Sequence, residues 1–360
     1  MEPGHLSSSG PDLPSVVIVV LNWNGWRDTL DCLKSLTRLA YPRFRVVVMD
    51  NGSRDDSVKR IRNWSENNGI VFADVSVERR SDDGLKAADT MGEETVDREG
   101  TGLTPGNAGM DIRLIAMKGN LGFAEGNNVV IRHILKEFHP PDYILLLNND
   151  AWVERECLSE AVATARNMDA SIVGCLIKDA AGERVLFSGD NRPPGAFYMR
   201  SFRRPHGNPL MDELSTQVNG CAMLIRREAL EAHRRRYGYY MNPKLFLYGE
   251  ETQFCLQTLK LGLRIAVSKK AVAYHKVSRS TPENQKGTMF LYYTTRNSYL
   301  IGTSVLSGWD LQFFRLNYPF ARIRVILWKL LMGRSREAFA VAEGLRDGYA
   351  GVTGQWRKQG

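Results

Sequence analysis

Apolar positions in the first half of the chain come in short, continuous, β-branched runs, separated by segments where they recur at every third or fourth place. That alternation predicts strands buried on both faces of a sheet, joined by amphipathic helices. Residues 16–21 and 44–49 read as the first two strands. Between them, 28–39 carries Leu30, Leu33 and Leu36 at helical spacing, with Asp28 or Thr29 as its cap and Tyr41-Pro42 as its stop. A second helix, at about 55–66, places Val58, Ile61 and Trp64 on one face. These pieces make a βαβ unit with a right-handed crossover. The alternation resumes with a strand at 113–117, a helix near 127–138 and a strand at 143–147. Strands at 172–175, 217–225, 264–267 and 271–274, with a helix at 251–261, complete the apolar series. This order predicts an α/β protein whose sheet is mostly parallel.

Two stretches break the pattern. From about 78 to 109 Gly, Asp, Glu and Thr dominate, and 78–99 holds eight acidic and four basic residues. With so little to bury, the segment reads as a solvated insertion. Near the other end, Arg315, Arg322, Arg324, Lys329, Arg334 and Arg336 give six cations and no acid between 315 and 336. They are interleaved with Phe320, Ile323, Ile326, Leu327, Trp328, Leu330 and Leu331. A basic amphipathic helix starting near Pro319 is expected, with Arg322, Lys329 and Arg336 recurring at every seventh position. Such a helix suits either reversible contact with an anionic membrane surface or packing on the rest of the protein with its cations solvated.

At 360 residues the chain can bury a substantial core, and its 43% hydrophobic and 24% charged content excludes wholesale disorder. A formal net charge of +8 favours anionic partners without choosing among nucleic acid, nucleotide phosphates and lipid headgroups. Basic clusters such as Arg203-Arg204 and Arg226-Arg227 belong to no nucleic-acid reading module, so nucleic acid is not an expected partner. Cys32, Cys157, Cys175, Cys221 and Cys255 are odd in number and form no CxxC pair. They speak against a disulfide framework or zinc knuckle and for a reducing cytosol. Residues 1–15 lack the apolar core of a cleaved signal, and no run of about eighteen uncharged apolar residues occurs. A flexible N-terminus, no cleaved signal and no membrane span are expected.

Candidate chemistry sits at the strand ends. Asp50-Asn51-Gly52-Ser53 follows the second strand, and Asn148-Asn149-Asp150 follows the strand at 143–147. In an open parallel sheet the carboxyl ends lie along one edge, so these acids can share a crevice. Asp50 can accept a hydrogen bond from the imide N–H of a uracil or thymine, and the Asn51-Gly52 backbone can approach a ligand closely. The same residues also make an ordinary turn. Asp150, with Asn148 or Asn149 beside it, is a hard oxygen donor for a divalent ion bridging two phosphates, and equally a good helix start. Residues 22–26 hold one glycine, which excludes the dinucleotide fingerprint after the first strand, and no phosphate-binding Lys-Ser/Thr loop is present.

A series of segments then carries a resemblance. In order they are Val-Val-Leu-Asn-Trp-Asn-Gly at 19–25, Asp-Asn-Gly-Ser-Arg-Asp at 50–55, Gly-Asn-Leu-Gly-Phe-Ala-Glu-Gly-Asn-Asn at 119–128 and Leu-Asn-Asn-Asp at 147–150. Downstream come Asn-Gly-Cys-Ala-Met-Leu-Ile-Arg-Arg at 219–227, Phe-Leu-Tyr-Gly-Glu-Glu at 246–251 and Ala-Val-Ala-Tyr-His at 271–275. Together they resemble the inverting family 2 glycosyltransferases, the downstream set being similar to the rhamnosyltransferase-like branch. The resemblance covers about 16–297, interrupted by the insertion, and implies a GT-A fold: a Rossmann-like, mostly parallel mixed sheet flanked by helices. It implies a nucleotide-sugar half at 16–150, an acceptor half at 151–300 and a basic helical extension at 301–360. By position it implies Asn22, Asp50, Asn51, Gly52, Ser53, Asn120, Gly122, Phe123, Asn127 and Asn149 around the donor. Asp150 and His275 would hold Mg2+ or Mn2+, and Glu251 would be the catalytic base with Glu250 its acidic neighbour. The implied reaction moves a sugar from dTDP-rhamnose or a UDP-sugar to a hydroxyl of a glycan or lipid-linked acceptor. The implied setting is cell envelope polysaccharide synthesis, in the cytoplasm or at the inner face of the membrane.

The chain departs from the family pattern twice. Relatives carry Glu-Asp and then a further Asp where this chain has Glu250-Glu251 and Gln253, and two aspartates where it has a single Asp150 after Asn148-Asn149. Glutamate is a methylene longer than aspartate, and misplacement by about an ångström can cost roughly a hundredfold in rate. One charge fewer should leave metal binding dependent on the donor diphosphate. These departures keep a second reading open, in which the protein binds nucleotide sugar or a partner transferase without turnover.

Overall fold

The computed structural model describes residues 13–75, 110–190, 211–276 and 283–356; the acidic insertion and most of the N-terminal segment lie outside the described residues. The first half consists of β1 (Val16–Asn22), α1 (Trp26–Leu36), β2 (Phe44–Asp50), α2 (Ser57–Asn67), β3 (Val71–Asp74), β4 (Asp111–Ala116), α3 (Gly122–Ile134) and β5 (Tyr143–Asn148). Its strands lie in the order β3-β4-β2-β1-β5, and every neighbouring pair is parallel. The second half adds β6 (Ala151–Val153), α4 (Cys157–Asn167), β7 (Ile172–Asp179), β8 (Val185–Phe187), β9 (Glu213–Leu214), β10 (Ala222–Arg226), α5 (Arg227–Tyr237), α6 (Glu250–Lys260) and β11 (Ile265–His275). The sheet continues β5-β10-β7-β11-β6, with β8 on β7 and β9 on β11. β10 runs antiparallel to both β5 and β7, while β7 and β11 are parallel, so the eleven-stranded sheet is mixed.

The twofold alternation along β1 divides the core into two layers. Ile18 and Val20 join Leu33 of α1, Ile61 of α2 and Leu158 of α4, while Val17 and Val19 join Ile131 of α3, Leu230 of α5 and Phe254 of α6. All are buried, each such aliphatic side chain contributing about 1.5–3 kcal/mol. All five cysteines are buried thiols within or beside these layers.

Several boundaries differ from the sequence reading, each for a physical reason. α1 starts at Trp26, ahead of Asp28, because the Thr29 hydroxyl reaches back to Asn22 Oδ1 at 2.8 Å and so lies inside the first turn. α3 starts at Gly122, five residues before Asn127, because Asn120 of the preceding turn and Asn51, just after β2, accept from the N–H groups of Gly122 and Leu121. The strand expected at 217–225 is confined to Ala222–Arg226, since Asn219 Oδ1 accepts from the Cys221 N–H at 2.9 Å and turns the chain. The strands expected at 264–267 and 271–274 are one strand, β11, with a register shift between Ser268 and Val272.

Three further helices, α7 (Glu283–Val305), α8 (Gly308–Leu331) and α9 (Ser335–Tyr349), form a separate layer. α7 runs through position 300, so the division expected at 300/301 falls inside a helix. α8 starts at Gly308, not near Pro319, which lies in its interior. Proline there removes the N–H that would bond to the Arg315 carbonyl. The Tyr349 hydroxyl of α9 donates to that carbonyl at 3.1 Å instead. Among the described residues no helix is long and apolar enough to cross a membrane.

Candidate active site

The sheet grows from β1 in both directions, to β2 and β4 on one side and to β5 on the other, and such a switch point opens a crevice at the carboxyl ends of the strands. β1 ends at Asn22, level with Asp50 of β2, and Leu21 is level with Asn148 of β5. Asn22 Nδ2 donates to Asp50 Oδ2 at 2.7 Å, and Asn22 Oδ1 accepts from Asn149 Nδ2 at 3.4 Å. Asn149 Nδ2 also reaches Thr29 Oγ1 at 3.1 Å and the Gly25 carbonyl at 3.3 Å. The other Asp50 oxygen accepts from the Ser53 N–H at 2.9 Å, and Ser53 Oγ accepts from the Asn24 N–H at 2.8 Å. Asp50 is only 1% exposed. Asn22, Asp50, Ser53 and Asn149 therefore brace three strand ends into one rim.

Asn51 ties this rim to the next turn. Its Nδ2 donates to Asn120 Oδ1 and to the Gly122 carbonyl, both at 3.1 Å, and its Oδ1 accepts from the Leu121 N–H at 2.9 Å. Gly122 has φ +80, a conformation that glycine adopts without steric penalty. The Phe123 N–H donates to the Phe246 carbonyl at 2.9 Å, which brings in the segment leading to α6. Asn127 lies behind the turn rather than on the crevice: it is buried and donates to the Phe123 carbonyl at 2.9 Å.

Asp150 and His275 meet although 125 positions separate them, with Asp150 Oδ1 and His275 Nε2 3.0 Å apart. The meeting is enforced by the pairing of β11 with β6, which sets His275 opposite Ala151. Lys276 holds the strand end down, its N–H donating to the Asp150 carbonyl at 3.0 Å and its Nζ to Asp28 at 2.7 Å and Asp31 at 2.9 Å. Among the described residues no cluster of three or more His, Cys, Asp or Glu side chains could hold a metal ion. Asp150 and His275 fit one as a pair, an oxygen and a nitrogen donor with further positions left to a ligand's oxygens.

Glu250 and Glu251 open α6 after Gly249, whose φ is +99. They sit in opposite environments. Glu251 is half-buried and faces the Asn219-Gly220 turn, where a Cβ on Gly220 would lie 3.4 Å from Glu251 Cβ. The adjacent Cys221 carbonyl accepts from the Asn148 N–H at 2.9 Å, linking that turn to the β5 end. Glu250 is 2% exposed, and its Oε1 has no hydrogen-bond partner. Burial, reinforced by the Glu251 charge, pushes its carboxyl up from 4.5 to about 8.

The segment that presents this pair is strained, since Phe246 and Tyr248 take φ of +66 and +67. Such backbone costs roughly 1–2 kcal/mol per residue and needs support from its surroundings. α7 supplies it: Asn297 Nδ2 donates to the carbonyls of Leu245, Leu247 and Tyr248 at 3.1, 2.9 and 2.7 Å, and the fully buried Arg296 donates to Leu245 at 2.7 Å. Arg296 also donates to the Gly354 carbonyl at 2.7 Å, tying down the C-terminal segment.

The raised Glu250 carboxyl makes a pH-dependent prediction. An unfolded glutamate releases its proton near 4.5, whereas folded Glu250 keeps it to about 8. Its stabilising contribution is therefore complete below the lower value and is lost as pH rises to the upper. Glu250→Gln stays neutral throughout, so in urea melts the variant should gain on the wild type between about pH 5 and pH 8.5, by roughly 2–4 kcal/mol at the upper end. Stabilities that fall in parallel would mean that Glu250 is ionised in the folded protein.

A cavity of about 370 Å3 lies against this rim, lined by Trp23, Asn24, Gly52, Arg54, Lys118, Gly119, Asn120 and Gln355. Of the residues singled out from the sequence, Gly52 and Asn120 line it, while Asn22, Asp50, Asn51 and Ser53 brace its wall. Trp23 and Asn24 fall inside the 19–25 motif, Arg54 inside the 50–55 motif, and Lys118 directly precedes the 119–128 motif, yet neither these four nor Gln355 is among the site residues the sequence implies; the left-handed φ of +50 at Asn24 marks a constrained turn. Gln355 carries no sequence signal at all.

Residues 15–88 and 105–234, more than half of the chain, match the family described as Glycosyl transferase family 2. The low-salt glycan biosynthesis hexosyltransferase Agl10 of Haloferax volcanii is 25% identical over 227 residues, 61% of this chain and 69% of that protein. Mannosyltransferase PcManGT of Pyrobaculum calidifontis, solved with GDP-Man and Mn2+, superposes with a TM-score of 0.53 at 14% identity, over 93% of this chain and 87% of the other. S. aureus TarS 1-349 with UDP-GlcNAc gives 0.51 at 14% identity, over 94% and 92%. The chain spans 40% of the longer TarS structure.

Proposed function

Because the chain belongs to glycosyl transferase family 2 and is a glycosyltransferase with the GT-A fold, we propose that it carries out inverting transfer of a sugar from a nucleotide-diphosphate donor to an acceptor hydroxyl, with Glu251 as the base. The observation that supports this reading is a chain of contacts at the β1 switch point. Asn22 and Asn149 link the strand ends beside the cavity of Arg54 and Lys118 to the Asp150–His275 pair, and the Asn219-Gly220 turn links the β5 end to Glu251, although none of Asp150, His275 and Glu251 lines the cavity itself.

In this mechanism the nucleoside occupies the cavity between Trp23 and Asn120, and Arg54 and Lys118 offset the diphosphate charge. Asp50 holds the Gly52-Ser53 turn and is buried, so its contact with a uracil or thymine imide requires the Asn24 and Ser53 turns to part. Glu251 accepts the acceptor's proton as the hydroxyl oxygen bonds to the anomeric carbon; the bond from that carbon to the diphosphate breaks, and the nucleoside diphosphate leaves. Asp150 and His275 would hold Mg2+ or Mn2+, which supplies positive charge to the leaving diphosphate. PcManGT, solved with GDP-Man and Mn2+, supports that pairing of metal and donor. The Gln253 departure does not reach the chemistry: Gln253 is buried and bonded to Asn242 and Ser304, both at 2.8 Å. A UDP-sugar or dTDP-rhamnose is the donor class favoured by the motif resemblance, with a glycan or lipid-linked acceptor.

Two measurements test this reading. Incubation with UDP-, dTDP- and GDP-sugars should release nucleoside diphosphate from one donor class in the presence of Mn2+; neither release nor thermal stabilisation with any of them would sink it. Calorimetric titration should show Mn2+ binding at least about tenfold more tightly with the nucleoside diphosphate present than without, because two side chains are too few to hold it alone. Equal affinities would remove Asp150 and His275 from the metal site.

A further inference from the structure

Only Phe314 and Tyr318 of α8 are buried, packed against Tyr299 of α7. On the opposite side Trp309, Phe313, Leu316, Phe320, Ile323, Leu327 and Leu330 follow one another at alternating steps of four and three, and each is 44–89% exposed. That spacing keeps them in one unbroken seam roughly 30 Å long. Scattered apolar side chains on a surface need no explanation, whereas a continuous row marks an interaction site. Arg315 lies on one flank of the seam and Arg324 on the other, both exposed, whereas Arg322 and Lys329 turn back toward the buried face, Arg322 over the Tyr318 ring and Lys329 onto Glu337 of α9. Lys329 and Arg334 share Glu337, but Arg315, Arg324 and Arg336 have no carboxylate partner among the described residues.

We propose that this face of α8 is a docking surface for an anionic lipid bilayer, the seam entering the headgroup region and the flanking cations meeting lipid phosphates. Aromatic and aliphatic side chains on one face with basic residues at its sides are what an interfacial helix requires, since arginine and lysine stems reach past the apolar boundary to keep their charges at the surface. Charge selects this occupant over a second copy of the chain. The positions that would flank a helix pair across the seam, Asp310, Gln312, Asn317, Pro319, Arg324 and Ile326, provide a single acid, Asp310, which finds its one counterpart in Arg324 of an antiparallel copy and leaves Arg315 unmatched. A groove of about 840 Å3 beside the seam, lined by Ile326, Leu330, Phe339 and Trp356, ends next in the chain to Gln355 of the nucleotide cavity. A leaflet seated there would adjoin the site where a lipid-carried acceptor is used. That consequence rests on the proposed reaction; the docking does not.

Flotation of the full chain with vesicles tests the proposal without any glycosyl transfer. The chain should float with phosphatidylcholine vesicles containing about a quarter phosphatidylglycerol, and at least about tenfold less with phosphatidylcholine alone. Arg315→Gln with Arg324→Gln should lower the partition coefficient about thirtyfold. Trp309→Ser, Phe313→Ser and Phe320→Ser together should abolish flotation with unchanged melting, because all three side chains are exposed. No flotation, or equal flotation on both vesicles, would overturn the proposal. So would a dimer seen by light scattering that the triple serine variant converts to monomer, which would assign the seam to a second copy.

Discussion

Glu251→Gln should lower the transfer rate by about 10²–10⁴-fold while leaving donor affinity unchanged within about twofold. The amide has the size of the carboxylate but cannot take a proton, and among the described residues Glu251 makes no side-chain hydrogen bond that its loss would break. In the proposed reaction donor affinity rests on a different set of residues, Trp23, Arg54, Lys118 and Asn120 around the cavity. Glu251→Asp retains the base but draws it back by about an ångström, and should lose roughly a hundredfold if the site has been shaped around the longer side chain. Glu250→Gln is the internal control. It changes the neighbouring acid to a group that is neutral at every pH, and its effect on the rate at neutral pH should stay below about tenfold, since the buried Glu250 already holds its proton there. Steady-state rates and donor dissociation constants for the three variants decide the assignment. Wild-type turnover in Glu251→Gln would place the base elsewhere, and a larger loss in Glu250→Gln than in Glu251→Gln would exchange their roles.

The parallel half of the molecule was legible because it obeys local rules. A strand buried on both faces must be almost continuously apolar, and 16–21 and 143–147 are, while 44–49 is broken only by Arg45, which is buried and paired with Glu137; the crevice at their ends follows from topology alone. What could not be read depends on contacts between distant segments. β6 and β9 are too short, at three and two residues, to carry a twofold pattern. The start of α3 is set by Asn51, some seventy positions upstream, which accepts from the Leu121 N–H. The left-handed backbone at Phe246 and Tyr248 contradicts the preferences of those residue types and exists because Arg296 and Asn297 of α7 hold the carbonyls around it. The split between Glu250 and Glu251 is likewise invisible in a pair of identical neighbours: α6 turns one into the core and leaves the other half-buried beside the Asn219-Gly220 turn. The same physics explains why the acceptor-side loop is supported by the helical layer. The segment after that layer contributes Gln355 to the cavity lined by Gly52 and Asn120, and Arg296 of the layer fixes both Gly354 and the loop before Glu250.

Gly52→Ala should cost about 2–4 kcal/mol of stability and with it the nucleotide cavity, whereas Gly119→Ala, in the facing strand of chain, should leave stability unchanged or slightly raised. The two glycines touch, yet their circumstances are opposite. Gly52 has φ +76, where a side chain adds roughly 1–2 kcal/mol of strain. A Cβ there would lie 2.5 Å from Gly119 Cα and carbonyl carbon and 2.6 Å from its nitrogen, all rigid backbone. The two turns would have to separate, and both line the cavity together with Asn120. Separation would also pull on Asn51, whose amide spans from the Gly52 turn to Asn120, Leu121 and Gly122. A Cβ on Gly119 meets nothing within 4 Å and projects into open space, so its backbone need not move. Chemical melts without ligand measure the first difference, and nucleotide titration measures the second. Gly52→Ala should lose both stability and affinity; Gly119→Ala should keep its stability and report, through affinity alone, whether a nucleotide packs against that side of the cavity. Equal stability of the two variants would mean that the 52 and 119 turns are free to move apart, and that the rim is not the rigid element on which the donor site is built.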